Sequence, residues 1–143
     1  ALIPHMRQSE RDASFVFIGS KDAFDVVPGL AAYSISKAAL VQLSKTVAIE
    51  EGPHGIRSNI VHPDVVIEGS SLWNDTLRQN RAAKHGVAPD ELADHYKARN
   101  ALGVALSTDD MAYAVSFLLS ARARAISGAV LSVDGGYGPA FAR

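Results

Sequence analysis

Apolar residues change their period several times along this chain, and each change marks an element. Ser14-Phe-Val-Phe-Ile-Gly19 is an unbroken apolar and aromatic run, the pattern of a buried parallel strand. The Gly/Pro-bearing stretch Val27-Pro-Gly-Leu30 predicts a loop over 20–30. An Ala-, Leu-, Lys- and Ile-rich stretch from about 31 to 51 predicts a long helix, stopped by Gly52-Pro53. Arg57 to His62 reads as a second strand broken by Pro63. Residues 72–85 read as a helix ended by Gly86, and Pro89-Asp-Glu91 opens another. Ser107-Thr-Asp-Asp110 is a capping sequence for a helix over about 109–121, with Met111, Val115, Leu118 and Leu119 on its buried face. Ala129 to Val133 is a third strand, followed by a turn at Asp134-Gly-Gly136. Upstream, residues 1–8 resemble the end of a helix, and Arg11-Asp12 a polar turn. Strand, helix, strand, helices, strand is an α/β order, and it predicts a parallel sheet with crossover helices.

Composition narrows the class. The 143 residues fit one domain, with 48% hydrophobic and 20% charged residues and a net charge of −1. Such a balance offers no field for nucleic acid. There are no cysteines, which excludes disulfides and thiolate metal sites. No apolar run approaches the ~20 residues of a membrane span, and the first residues lack a signal-peptide pattern. A cytoplasmic location is the expectation. His5, His54, His62, His85 and His95 have no metal-ligand spacing and read as surface or loop residues.

The candidate chemistry lies at the start of the long helix. Tyr33 and Lys37 in Tyr33-Ser-Ile-Ser-Lys37 are one turn apart on one helix face. A phenol titrates near ~10 and shuttles protons poorly at neutral pH, but a neighbouring ammonium favours the phenolate. Ser20, thirteen residues before Tyr33, adds a hydroxyl at the end of the first strand. Taken alone, Tyr-x-x-x-Lys also fits an ordinary helix with an exposed lysine.

The surrounding order selects between these. Ser20, the Tyr33/Lys37 pair, Gly52-Pro-His-Gly-Ile-Arg-Ser-Asn-Ile-Val-His-Pro63 and Ser132-Val-Asp-Gly-Gly136 together resemble the C-terminal half of a short-chain dehydrogenase/reductase, from Ala1 to about Gly136. The resemblance implies half of a Rossmann-like doubly wound parallel sheet with a helical substrate lid over residues 70–100. It implies that Tyr33 is the acid/base, that Lys37 tunes it and binds the nicotinamide ribose, and that Ser20 binds the substrate oxygen. Pro63 ends the strand that leads to the nicotinamide carboxamide, with Asp64, Val66 and Glu68 on the contacting loop. Asp64 stands where relatives have Gly and Glu68 where they have Thr; Ser70 is a nearby hydroxyl. Leu72 and Trp73 follow as lid residues, and Arg78, Arg81 and Lys84 form either a solvated face or an anion grip.

The family's glycine-rich phosphate turn, its Asn-Ala-Gly stretch and its residue selecting the adenosine ribose match nothing here. The expectation is therefore a catalytic half, 1–143, without its dinucleotide-binding half, and inactive alone. The implied cofactor is NAD or NADP, with NAD favoured, and the implied partner is a second copy packed on helix 31–51. A noncatalytic structural or oligomerisation module on the same scaffold is the competing reading. A narrower resemblance rests on His62-Pro-Asp-Val-Val-Ile-Glu-Gly-Ser-Ser-Leu-Trp73, Gly86-Val-Ala-Pro-Asp-Glu-Leu92 and Gly138-Pro-Ala-Phe-Ala-Arg143. These are similar to the dehydrogenase part of bifunctional rhamnulose-1-phosphate aldolase/short-chain dehydrogenases, which implies a small alcohol or aldehyde substrate such as lactaldehyde.

Overall fold

The computed structural model describes residues 2–9 and 12–140. The expected turn at Arg11 and the tail at 141–143 lie outside them. Helix α1 (Leu2–Arg7) precedes strand β1 (Ala13–Ile18), helix α2 (Ala31–Glu51) and strand β2 (Ile56–Pro63). A short strand β3 (Val66–Glu68), helices α3 (Asp75–His85) and α4 (Leu92–Lys97) and a two-residue strand β4 (Leu106–Ser107) follow. Helix α5 (Thr108–Leu119) and strand β5 (Val130–Val133) complete the order.

β2 is the spine of the molecule. It pairs in parallel with β1 on one side and β5 on the other, so every residue from Ile56 to His62 is buried. β1, with one neighbour in the sheet, is only half-buried, and Ile18 at its end is exposed. Polar side chains on β2 pin it to the layers around it. Ser44 of α2 and Ser58 share a hydrogen bond of 3.3 Å. Asn59 donates to the Ile126 carbonyl and accepts from the Ala129 amide, shaping the entry to β5. Arg57 donates to the carbonyls of Leu118 and Ser120 and so caps the C-terminal end of α5.

The long helix matches its expected bounds. After Glu51 the chain makes one 3-10 turn, and Gly55 at φ 73° supplies the left-handed exit that a side chain would resist. Arg7 grips Glu51 bidentately at 2.7 Å, tying α1 to the end of α2. The Ser107 cap is present as a full capping box with Asp110.

Several expectations shift. β2 runs from Ile56 and includes Pro63 as its last residue, one residue longer at each end than expected. Leu72 and Trp73 precede α3, which starts after an Asn74 cap. Pro89-Asp-Glu91 is a turn, and α4 begins at Leu92. Leu119 is exposed, leaving Leu118 as the fully buried residue of α5. Nothing in the sequence pointed to the parallel pair of β3 and β4, which fastens the loop after β2 to the approach to α5. Between them a small core of Ile67, Leu92 and Tyr96, with Trp73 packed against it, gives the 66–106 excursion its own interior. No described helix is long and apolar enough to cross a membrane.

Candidate active site

The site forms where β1 and β2 end and α2 begins. The β1–β2 ladder continues one residue beyond β1, with the Gly19 amide donating to the Val61 carbonyl at 2.8 Å. The chain then turns, and Ser20 caps a short 3-10 turn by accepting from the Asp22 amide at 3.2 Å. That bond occupies the Ser20 oxygen and leaves its hydrogen to donate elsewhere. Ser20 is buried, whereas Tyr33 on the first turn of α2 is 43% exposed. Lys37 reaches from the next turn of α2 to the Ile18 carbonyl at 3.0 Å, and its ammonium lies 5.7 Å from the centre of the Tyr33 ring. The geometry thus brings Tyr33, Lys37 and the end of β1 together. Ser20 lies two residues beyond the carbonyl that Lys37 holds, and no hydrogen bond joins it to Tyr33 among the described residues.

Below this surface lies His62, which is buried on β2 and not a surface or loop residue as its spacing from the other histidines suggested. Its ring packs on Phe24 at 5.1 Å, and neither nitrogen has a hydrogen-bond partner among the described residues. Burial, helped by the Lys37 charge, holds its pKa below the ordinary value. Gly19 crosses directly over it: a Cβ there would lie 2.5 Å from Nε2.

Asp64, on the loop after Pro63, is also buried. Its carboxylate faces Lys21, 3.8 Å away. Lys21 is itself buried, with Asp22 at 2.7 Å and Asp25 at 3.0 Å. Burial alone would lower the Lys21 pKa, but the hydrogen bonds to Asp22 and Asp25 outweigh it and hold the ammonium above its ordinary value. Asp64 moves the other way for an acid: burial raises its carboxyl although Lys21 and Arg99 pull it down. At 3.8 Å without a hydrogen bond, the Lys21–Asp64 attraction is the weak leg of the cluster, so burial governs Asp64. The Tyr137 ring covers Lys21 at 4.8 Å, its hydroxyl donates to Asp25, and Arg99 lies over the same ring. A lysine beside a serine gave no sequence signal for this. Asp22 and Asp25 at i+1 and i+4 from Lys21 were the one available clue.

The rest of the expected site is more dispersed. Pro63 and Val66 are half-buried and Glu68 is exposed. Gly69, at φ 75°, packs on Thr108 with no room for a side chain. Ser70 accepts from the Leu72 amide. Leu72 is exposed, while Trp73 donates to the Val66 carbonyl at 2.7 Å and sits 6.1 Å from Tyr96. Among the described residues, no group of three or more His, Asp or Glu is placed to hold a metal.

Comparison with known proteins places the chain among its relatives. The sequence profile of the family described as Enoyl-(Acyl carrier protein) reductase matches residues 1–138. The uncharacterized oxidoreductase YuxG of Bacillus subtilis is 41% identical over 138 residues, covering 96% of this chain and 20% of that protein. Carbonyl reductase (NADPH) 2 of Sus scrofa is 36% identical over 126 residues, covering 87% of this chain and 46% of its own. A solved oxidoreductase of the short chain dehydrogenase/reductase family from Burkholderia thailandensis superposes with a TM-score of 0.78 at 33% identity, covering 94% of this chain and 48% of that one. The chain thus spans about half the length of the porcine and Burkholderia proteins and a fifth of the Bacillus one. A match of this extent, carried by sequence and fold together, makes the chain a member of the short-chain dehydrogenase/reductase family.

Proposed function

We propose that this chain carries the proton-transfer part of an NAD(P)-dependent oxidoreductase that interconverts a small alcohol and its carbonyl compound. In this reading it works together with a nucleotide-binding half. The observation that carries this reading is the exposed Tyr33 phenol beside the Lys37 ammonium, at the strand end that bears Ser20.

In this reading Tyr33 takes the hydroxyl proton during oxidation and returns it during reduction. The Ser20 hydrogen, free because its oxygen accepts from Asp22, donates to the substrate oxygen. Lys37 spends one donor on Ile18 and has two for ribose hydroxyls. The donor set therefore fits the nicotinamide-ribose end of a dinucleotide, with backbone after Pro63, through Asp64, Val66 and Glu68, facing the carboxamide. Bound nicotinamide would accept or supply the hydride. Leu72 and Trp73 border the substrate. NAD is our first choice; the porcine relative is named for NADPH, so both are to be assayed.

Lactaldehyde and related small hydroxy-aldehydes head the substrate panel. Support comes from the resemblance of residues 62–73 and 86–92 to bifunctional aldolase/dehydrogenases. The exposed apolar face of α2 supports a homo-oligomer through that helix.

The test is Tyr33→Phe in the assembled enzyme, with NAD and NADP against small alcohols and aldehydes. The substitution removes one hydroxyl, and activity is expected to fall ~10²–10⁴-fold with an unchanged melting temperature. Activity within a few-fold of wild type would sink the assignment.

A further inference from the structure

The buried charge cluster around Lys21 joins the two loops that leave adjacent strands. Lys21 follows Ser20 at the end of β1, and Asp64 follows Pro63 at the end of β2. Those strands run in register, Ile18 opposite Val61, so their exits lie side by side. A single ammonium holds Asp22 at 2.7 Å, Asp25 at 3.0 Å and Asp64 at 3.8 Å. Asp22 is the residue whose amide donates to the Ser20 oxygen. The chain Asp64, Lys21, Asp22, Ser20 is therefore continuous, and the Tyr137 ring shields it at 4.8 Å.

The ammonium is buried. A cation this deep, next to three carboxylates, does not serve as a ligand for anions from solution. It fixes geometry instead. Without it, three carboxylates would repel one another at the turn that aims Ser20. Resting on the proposed role of Ser20, we propose that Lys21, braced by Asp64, is a positioning residue that sets the Ser20 hydroxyl toward the substrate oxygen. Asp64, at the exit of the neighbouring strand, is then the far end of that brace.

A positioning residue acts only through what it positions, so the test is a cycle of variants in the assembled enzyme. Lys21→Met is expected to lower kcat/KM about tenfold or more, since small misplacements of a reacting group cost that much. In a Ser20→Ala background the same change is expected to cost less than about twofold. Lys21→Arg, which keeps the charge and the donors, is expected to recover most of the loss. Should Lys21→Met fail to fold, Asp64→Asn removes the brace at nearly constant shape and enters the same cycle. An equal loss in both Ser20 backgrounds, at temperatures well below each melting point, overturns the proposal. If Ser20→Ala alone leaves activity untouched, the role of Ser20 falls, and the role of Lys21 with it. Full activity of Lys21→Met beside a crippled Ser20→Ala overturns the positioning role alone.

Discussion

At the scale of single residues, burial separates the groups that were legible from those that were not. Tyr33 and Lys37 could be found because their spacing is a property of any helix, and a helix was plain. His62 and Lys21 could not, because what makes them unusual is being covered by segments distant in sequence, Phe24 in one case and Tyr137 in the other. For His62 this has a thermodynamic consequence. Its folded pKa is depressed, first by burial and then by Lys37. As pH falls through the ordinary imidazole value of ~6.5, the unfolded chain takes up a proton that the folded chain refuses, and stability drops. His85, also lowered by burial, adds in the same sense. Asp64, raised by burial, opposes it. The melting temperature of this chain is expected to fall between pH 7.5 and 5.5. His62→Phe should flatten that fall by on the order of 3 °C, and an unaltered pH profile in the variant would remove His62 as its source.

Among the elements, length and terminators decided what the sequence could reveal. α2 has 21 residues and a Gly-Pro stop, and both its bounds were as expected. β3 and β4 have three and two residues, and they pair across the whole of α3 and α4. No local period can announce so short a strand. α2 also carries a second message. Val41, Ser44, Val47 and Glu51 form its buried side. Ile35 and Ile49 are 70% and 79% exposed, and Leu43 is 47% exposed. At 100° per residue these three fall within about 120° of one another, opposite the buried side. Such a stripe calls for a cover, and a second α2 is the proposed one. Sedimentation of this chain is expected to give at least a dimer, and Ile35→Lys with Ile49→Lys a monomer. A wild-type monomer at high concentration would end that reading.

For the whole molecule, the proposed function carries an expectation about nucleotide affinity. The described residues include no glycine-rich turn opening onto a helix N-terminus, the feature that holds a pyrophosphate. In the proposed reading, Tyr33 and Lys37 supply contacts to the nicotinamide ribose alone. Titration calorimetry of this chain with NAD or NADP should show affinity weaker than about 1 mM. Micromolar binding would mean that the chain holds a pyrophosphate by some other device. This half of the architecture was readable because a parallel sheet with crossovers leaves a strand-helix-strand rhythm in the sequence.

The placement of β2 between its two neighbours also sets a clock. β1 precedes β2 and is available at once, but residues 64–129 lie between β2 and β5. A ribosome adding roughly 5–20 residues per second takes several seconds to make that stretch. Throughout, Ile60, Val61 and His62 have one open edge, although all three end up fully enclosed. The nascent chain therefore passes through an interval in which its central strand is half-paired, with Ile60 and Val61 uncovered, and any factor that shelters emerging chains has its strongest claim on this one then.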